Sequence, residues 1–100
     1  MNDAEISRKL ALAIGYAPED LMQNLDGGIS VRRSESPQGY AVPGWYRFDY
    51  RDGETIWPIV ERFNCSPRLD QYQRWVAGKY PYIYADTAAK AVALAVIKAH

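Results

Sequence analysis

Apolar side chains recur at every fourth position in Ile6, Leu10 and Ile14, which places them on one face of a helix. Asn2 stands one position before the acidic start of that helix with Glu5 three residues on, the spacing of a capping box, and Gly15 is placed to end it. Pro18-Glu19-Asp20-Leu21-Met22 reads as a short second turn of helix, because proline and acidic residues both suit a helix start. Asp26-Gly27-Gly28 reads as a turn. Ile29, Val31 and the pair Arg32 and Arg33 then form a short strand, and the looser stretch Ser34 to Gly39 predicts a mobile loop. From Trp45 to Arg51 the alternation is strict, with Tyr46, Phe48 and Tyr50 on one side and Trp45, Arg47, Asp49 and Arg51 on the other. A half-buried strand follows from that period of two.

Arg51-Asp52-Gly53 turns the chain, and Ile56, Ile59, Val60 and Phe63 fit the inner face of a helix. A proline in a helix interior costs about 3 kcal/mol, so Pro58 makes Thr55 a better predicted cap than Asp52. Asn64 to Pro67 closes this helix, and Tyr72 to Gly78, with Trp75 and Val76, reads as the next strand. Tyr80 to Tyr84 continues extended, where Pro81 implies an edge or a bulge. Asp86 is the predicted cap of a closing helix whose outer stripe is Lys90, Leu94 and Lys98, with Ala88, Ala91, Val92, Ala95, Val96 and Ala99 facing inward. The order helix, strand, strand, helix, strand, helix predicts an α+β fold, three helices packed on a small, mostly antiparallel sheet in one layered sandwich.

A chain of 100 residues is the size of one ordinary domain, so a single domain over 1–100 is expected. Twelve Lys plus Arg balance twelve Asp plus Glu, which leaves no overall field to draw in nucleic acid or an anionic membrane. The longest strongly apolar run, within Ala91 to Ile97, is far short of the roughly 20 residues that cross a bilayer. The acidic beginning Met1-Asn2-Asp3-Ala4-Glu5 lacks the pattern of a secretory signal. Cys65 has no second cysteine to pair with, which predicts a reducing, cytoplasmic setting and a thiol packed in or near the core.

Three segments together resemble the phage ABA-sandwich family of small bacteriophage and prophage proteins. They are Ile6-Ser7-Arg8-Lys9-Leu10-Ala11-Leu12-Ala13-Ile14-Gly15-Tyr16, then Phe48-Asp49-Tyr50-Arg51-Asp52 running into Trp57-Pro58-Ile59-Val60-Glu61-Arg62-Phe63, and Ala85-Asp86-Thr87-Ala88-Ala89-Lys90-Ala91-Val92-Ala93-Leu94-Ala95-Val96-Ile97. Tyr16 stands where that family commonly has Trp. These are packing and capping motifs, and the family brings no established enzymatic role. The resemblance implies a small accessory protein acting on a host or phage protein in a bacterial cell, a group to which inhibitors of host defence such as anti-CRISPR proteins belong by size and origin.

Chemistry is restricted by what the chain lacks. His100 is the sole histidine and the last residue given, so a Ser-His-Asp or Cys-His centre would depend on a frayed position. One Cys and one His do not furnish a structural zinc site, and neither a calcium loop nor a phosphate loop appears, so no metal and no cofactor is expected. Asp49, Asp52 and Glu54 beside Arg47 and Arg51 read as a solvated strand end with weak ion pairs rather than a general acid-base pair.

The eight Tyr, three Trp and eight Arg carry the remaining signal. Tyr46, Phe48, Tyr50, Trp57 and Phe63 are assigned to the core. Trp45, Arg47 and Arg51 share the opposite strand face, with Arg32, Arg33, Arg74 and Trp75 expected near them across a sheet. Such a surface suits a protein interface, since Tyr, Trp and Arg are favoured anchors. The alternative is single-stranded nucleic acid, with bases stacked on the rings and arginines on phosphates. An enzyme built on the three acids is a third reading, which requires a concave pocket around them.

Overall fold

The computed structural model describes residues 1–33, 44–79 and 81–100. The chain is α+β, with three helices and two antiparallel sheets of three and two strands among the described residues. The predicted element order holds, with two very short strands added to it. The chain divides into two compact units, 1–49 and 50–100.

The first unit opens with α1, Asp3–Ala13, where the Asn2 Oδ1 accepts the Glu5 N–H at 2.8 Å as the capping pattern predicts. Ile6, Leu10 and Ala11 are buried, and α1 lies against the second strand. Gly15 ends the helix at φ +116°, a conformation that favours glycine, while the Tyr16 N–H reaches back to the Ala11 carbonyl at 3.0 Å and Gly15 to Leu12 at 3.2 Å. Ile14 is only half-buried, because the helix has already turned away at that residue.

The predicted second helical turn is a single 3-10 turn, Pro18–Asp20. Leu21 leaves it in extended conformation and begins strand β1, Leu21–Gln23, which pairs with β2, Ile29–Arg33. Sheet pairing takes over from the local preference of the acidic run. The connecting turn is closed by Asn24 N–H on the Gly28 carbonyl at 2.7 Å and by Gly28 N–H on the Asp26 carboxylate at 2.9 Å. Strand β3, Gly44–Phe48, pairs antiparallel with β2, placing Ile29 opposite Phe48 and Val31 opposite Tyr46. Ile29, Val31 and Phe48 are buried and Tyr46 is half-buried; the Tyr16 ring meets Phe48 edge-on at 6.0 Å. The predicted loop 34–39 lies outside the described residues.

The second unit contains α2, Gly53–Phe63; β4, Arg68–Leu69; β5, Trp75–Val76; and α3, Ala88–Ala99. Helix α2 begins two residues before the predicted cap. Asp52, not Thr55, is the N-cap, and Pro58 sits inside the helix. The proline removes only the N–H that would meet the Glu54 carbonyl, and both residues are exposed, so water reaches that oxygen. Ile56, Ile59 and Val60 are buried as the periodicity requires. Trp57 was assigned to the core and is instead 57% exposed. One step of about 100° from Ile56 carries it off the inner stripe.

Asn64 ends α2 in the left-handed region at φ 51°, with Cys65 buried after it. The predicted strand Tyr72 to Gly78 shrinks to Trp75–Val76, because 70–74 form a tight turn with Gln73 at φ 64°. Trp75 exchanges both backbone hydrogen bonds with Ala85, at 3.1 and 2.9 Å, an isolated antiparallel bridge just past the run predicted extended, of which 81–84 form no strand and Tyr80 lies outside the described residues. Thr87 rather than Asp86 caps α3, its Oγ1 accepting the Lys90 N–H at 3.2 Å. Helix α3 packs on both α2 and β5, so Ala93 is buried along with Ala91, Val92 and Val96, whereas Ala99, expected inside, is exposed at the helix end.

Candidate binding surface

Directly paired residues of neighbouring strands share a sheet face. Pairing of Met22 with Ser30, Ser30 with Arg47 and Arg32 with Trp45 therefore puts these five side chains on the face opposite Ile29, Val31 and Phe48. Trp45 is 43% exposed there, and Met22 is exposed on β1. The Arg32 guanidinium lies 5.8 Å from the centre of the Trp45 ring, a cation–π distance, and both its Nε and Nη2 donate to Asp20 Oδ1, at 2.9 and 2.6 Å. Arg47 reaches across the β1–β2 turn to Asp26, Nη1 to Oδ2 at 2.8 Å. A Cβ on Gly28 would stand 3.0 Å from Arg47 Nη2, so glycine leaves the room that lets the guanidinium lie there. The Gly28 N–H and then the Arg47 guanidinium hold the Asp26 carboxyl below its ordinary range. Beneath them the Ser30 hydroxyl meets Asn24 Oδ1 at 2.9 Å.

The result is an indole beside the Arg32 guanidinium, with Arg47 two positions along the same strand face, and each arginine is closed onto a carboxylate. Pairing of each arginine with a carboxylate leaves the local charge close to balanced.

The other predicted site residues fall elsewhere. Arg33 is on the buried side of the sheet, where its Nε donates to the Tyr16 hydroxyl at 2.6 Å and its guanidinium lies 5.8 Å from that ring's centre. Consecutive strand residues point to opposite faces, so Arg32 and Arg33 cannot both join Trp45. Arg51 lies beyond the end of β3, exposed in the turn that precedes α2. Arg74 and Trp75 belong to the β4–β5 sheet, not to that of Trp45.

That second hairpin carries an aromatic–arginine cluster in which Arg74 was expected at a surface and Arg68, Tyr72, Tyr82 and Tyr84 were not. Asp70 Oδ1 accepts the N–H groups of Tyr72 and Arg74, and its Oδ2 accepts Arg74 Nε, all at 2.9 Å. Desolvation pushes the Asp70 carboxyl up, but these bonds from Arg74 and Tyr72 outweigh it and leave the group below its ordinary value. The Arg74 guanidinium stacks 3.7 Å from the Tyr84 ring centre and 5.1 Å from that of Tyr72, and Arg68 lies 4.8 Å from the centre of Tyr82. The alternation of Tyr82 and Tyr84 around Ile83 was the available signal.

Of the three acids, Asp52 and Glu54 are exposed and Asp49 is half-buried. Among the described residues no group of three or more His, Cys, Asp and Glu is placed to hold a metal ion. Cys65 is buried as expected, and desolvation pushes its thiol above the ordinary range. No helix among the described residues is long and apolar enough to cross a membrane.

Fold and surface together define a small α+β protein that exposes an indole beside an arginine on the outward face of β1–β3. No known family model, curated protein or solved structure matches the chain.

Proposed function

We propose that the chain is a small non-enzymatic accessory protein of the phage or prophage type, which binds a host or phage protein through the outward face of β1–β3. The phage connection rests on the sequence resemblance alone. An inhibitor of host defence, of the anti-CRISPR kind, acting in the bacterial cytoplasm is the particular role that resemblance favours.

The observation that carries the binding reading is Trp45, a large ring 43% exposed beside the Arg32 guanidinium and on the same strand face as Arg47. Tryptophan and arginine are enriched among the residues that carry most interface energy, the indole because it buries a large area with only two side-chain torsions. Pairing of each arginine with an internal carboxylate favours a protein partner over a polyanion, since the positive charge is already largely neutralised. Replacing Trp45 and Arg47 together by Ala should abolish capture of the partner from a bacterial host lysate while the urea unfolding midpoint stays near that of the parent. Capture that persists unchanged would remove this face from the account.

The stacked arginines of the β4–β5 hairpin favour a second reading, a module for single-stranded nucleic acid using Tyr72, Arg74, Tyr82 and Tyr84. A gel shift that weakens steeply with added salt and is lost on Tyr84→Ala would support it. Absence of any shift at low salt excludes it.

A further inference from the structure

A cavity of about 400 Å³ opens in the second unit between the ends of α2 and α3 and the segment that follows β5. Its wall is apolar: Phe63 and Cys65 from the end of α2, Ala77 and Gly78 after β5, Ala95 and Val96 from α3. The space exists because so many of these residues are small. A Cβ on Gly78 would already stand 3.1 Å from that of Ala95.

Lys79 and Lys98 line the cavity along with the polar Asn64 and His100, and among the described residues no acidic side chain does. Lys98 donates to the carbonyl of Pro81, itself a lining residue. The carboxyl ends of α2 and α3 contribute partial negative charge nearby. Each such end amounts to about half an elementary charge and is screened where it meets water; a carboxylate on His100, which also lines the cavity, offsets one ammonium and leaves the other to set the sign. A pocket in the range of about 300–1,000 Å³, apolar in body with a few convergent polar groups, is the ordinary form of a small-molecule site.

We infer that this cavity binds a small amphipathic carboxylate, with its hydrocarbon body against Cys65, Ala77, Ala95 and Val96 and its anionic head between Lys79 and Lys98. The site is separate from the Trp45 face, and its occupancy does not depend on the protein-binding role.

Decanoate is the probe, titrated into the isotope-labelled full chain and followed by amide shifts, with decanol and decyltrimethylammonium as neutral and cationic counterparts of the same tail. Decanoate should shift the amides of 77–79 and 95–99, and the other two should bind at least tenfold more weakly. Lys79→Glu should weaken decanoate at least tenfold and narrow its advantage over the cationic probe. Ala99→Trp, a substitution at an exposed rim position, should fill the opening and remove the shifts while the rest of the spectrum is retained. Equal affinity for all three probes, shifts that map away from the cavity, or no shifts at all would each overturn the assignment. Were Ala99→Trp to unfold the chain, the Lys79→Glu result alone decides, because that side chain is exposed.

Discussion

Phe48 and Trp45 lie three positions apart on one strand, and their environments demand opposite responses to truncation. Phe48 is 1% exposed and meets the Tyr16 ring, so Phe48→Ala removes an aromatic from a filled interior. A cost of about 3–5 kcal/mol in urea-derived unfolding free energy is expected. Trp45→Ala takes away a ring that is already largely wet and should change stability by less than about 1 kcal/mol. If the two variants were equally destabilised, the inside and outside of β3 would be misassigned. This contrast was readable beforehand, because a period of two admits no other arrangement once Phe48 is placed inside. The same rule separates Arg32 from Arg33, and grouping both with Trp45 overlooked it. Trp57 failed for a related reason: it was judged by size, whereas helix phase decides its direction.

At the scale of elements, the helices and β3 were legible because each repeats its pattern over a full turn or more. Strands β1 and β4, of three and two residues, carry no period to recognise and exist through pairing with β2 and β5. Caps were legible only to within a few residues. Asp52 and Thr55 both have capping chemistry, as do Asp86 and Thr87; at α3 the Thr87 hydroxyl takes the Lys90 N–H, while Asp52 stands at the start of α2 with no side-chain cap bond. Thr87→Ala should cost about 1 kcal/mol by loss of the bond to the Lys90 N–H, measured by thermal unfolding. The β4–β5 turn makes a prediction about acid. Asp70 titrates below its ordinary value of 3.8 in the fold, so its carboxylate adds stability that is fully present above that value. The contribution disappears as pH falls through the lowered value. Asp70→Asn keeps an oxygen for the two backbone N–H groups and loses the charge. Its stability should therefore decline less steeply than the parent's below about pH 4, since an unperturbed Asp titrates near 3.9. Parallel pH profiles would show that Asp70 gains nothing from Arg74.

For the molecule as a whole, balanced charge has a consequence of its own. With zero formal net charge at pH 7, self-repulsion is least near neutrality, and solubility should pass through a minimum there and rise towards pH 9. A light-scattering series across pH measures this, and a monotonic trend through neutrality would contradict it. Function was less legible than fold at this scale. Composition announced an excess of aromatic and arginine side chains, yet their division between two separate sheets depends on strand pairings that no local pattern encodes.

The indole of Trp57 stands over Gly53 at the first turn of α2, where an added Cβ would lie 3.3 Å from its Cδ1. A glycine roofed in this way couples backbone order to the optical behaviour of an exposed chromophore. Unwinding of that single turn should alter the emission of Trp57 before the interior opens, a native gauge of how the second unit begins to come apart.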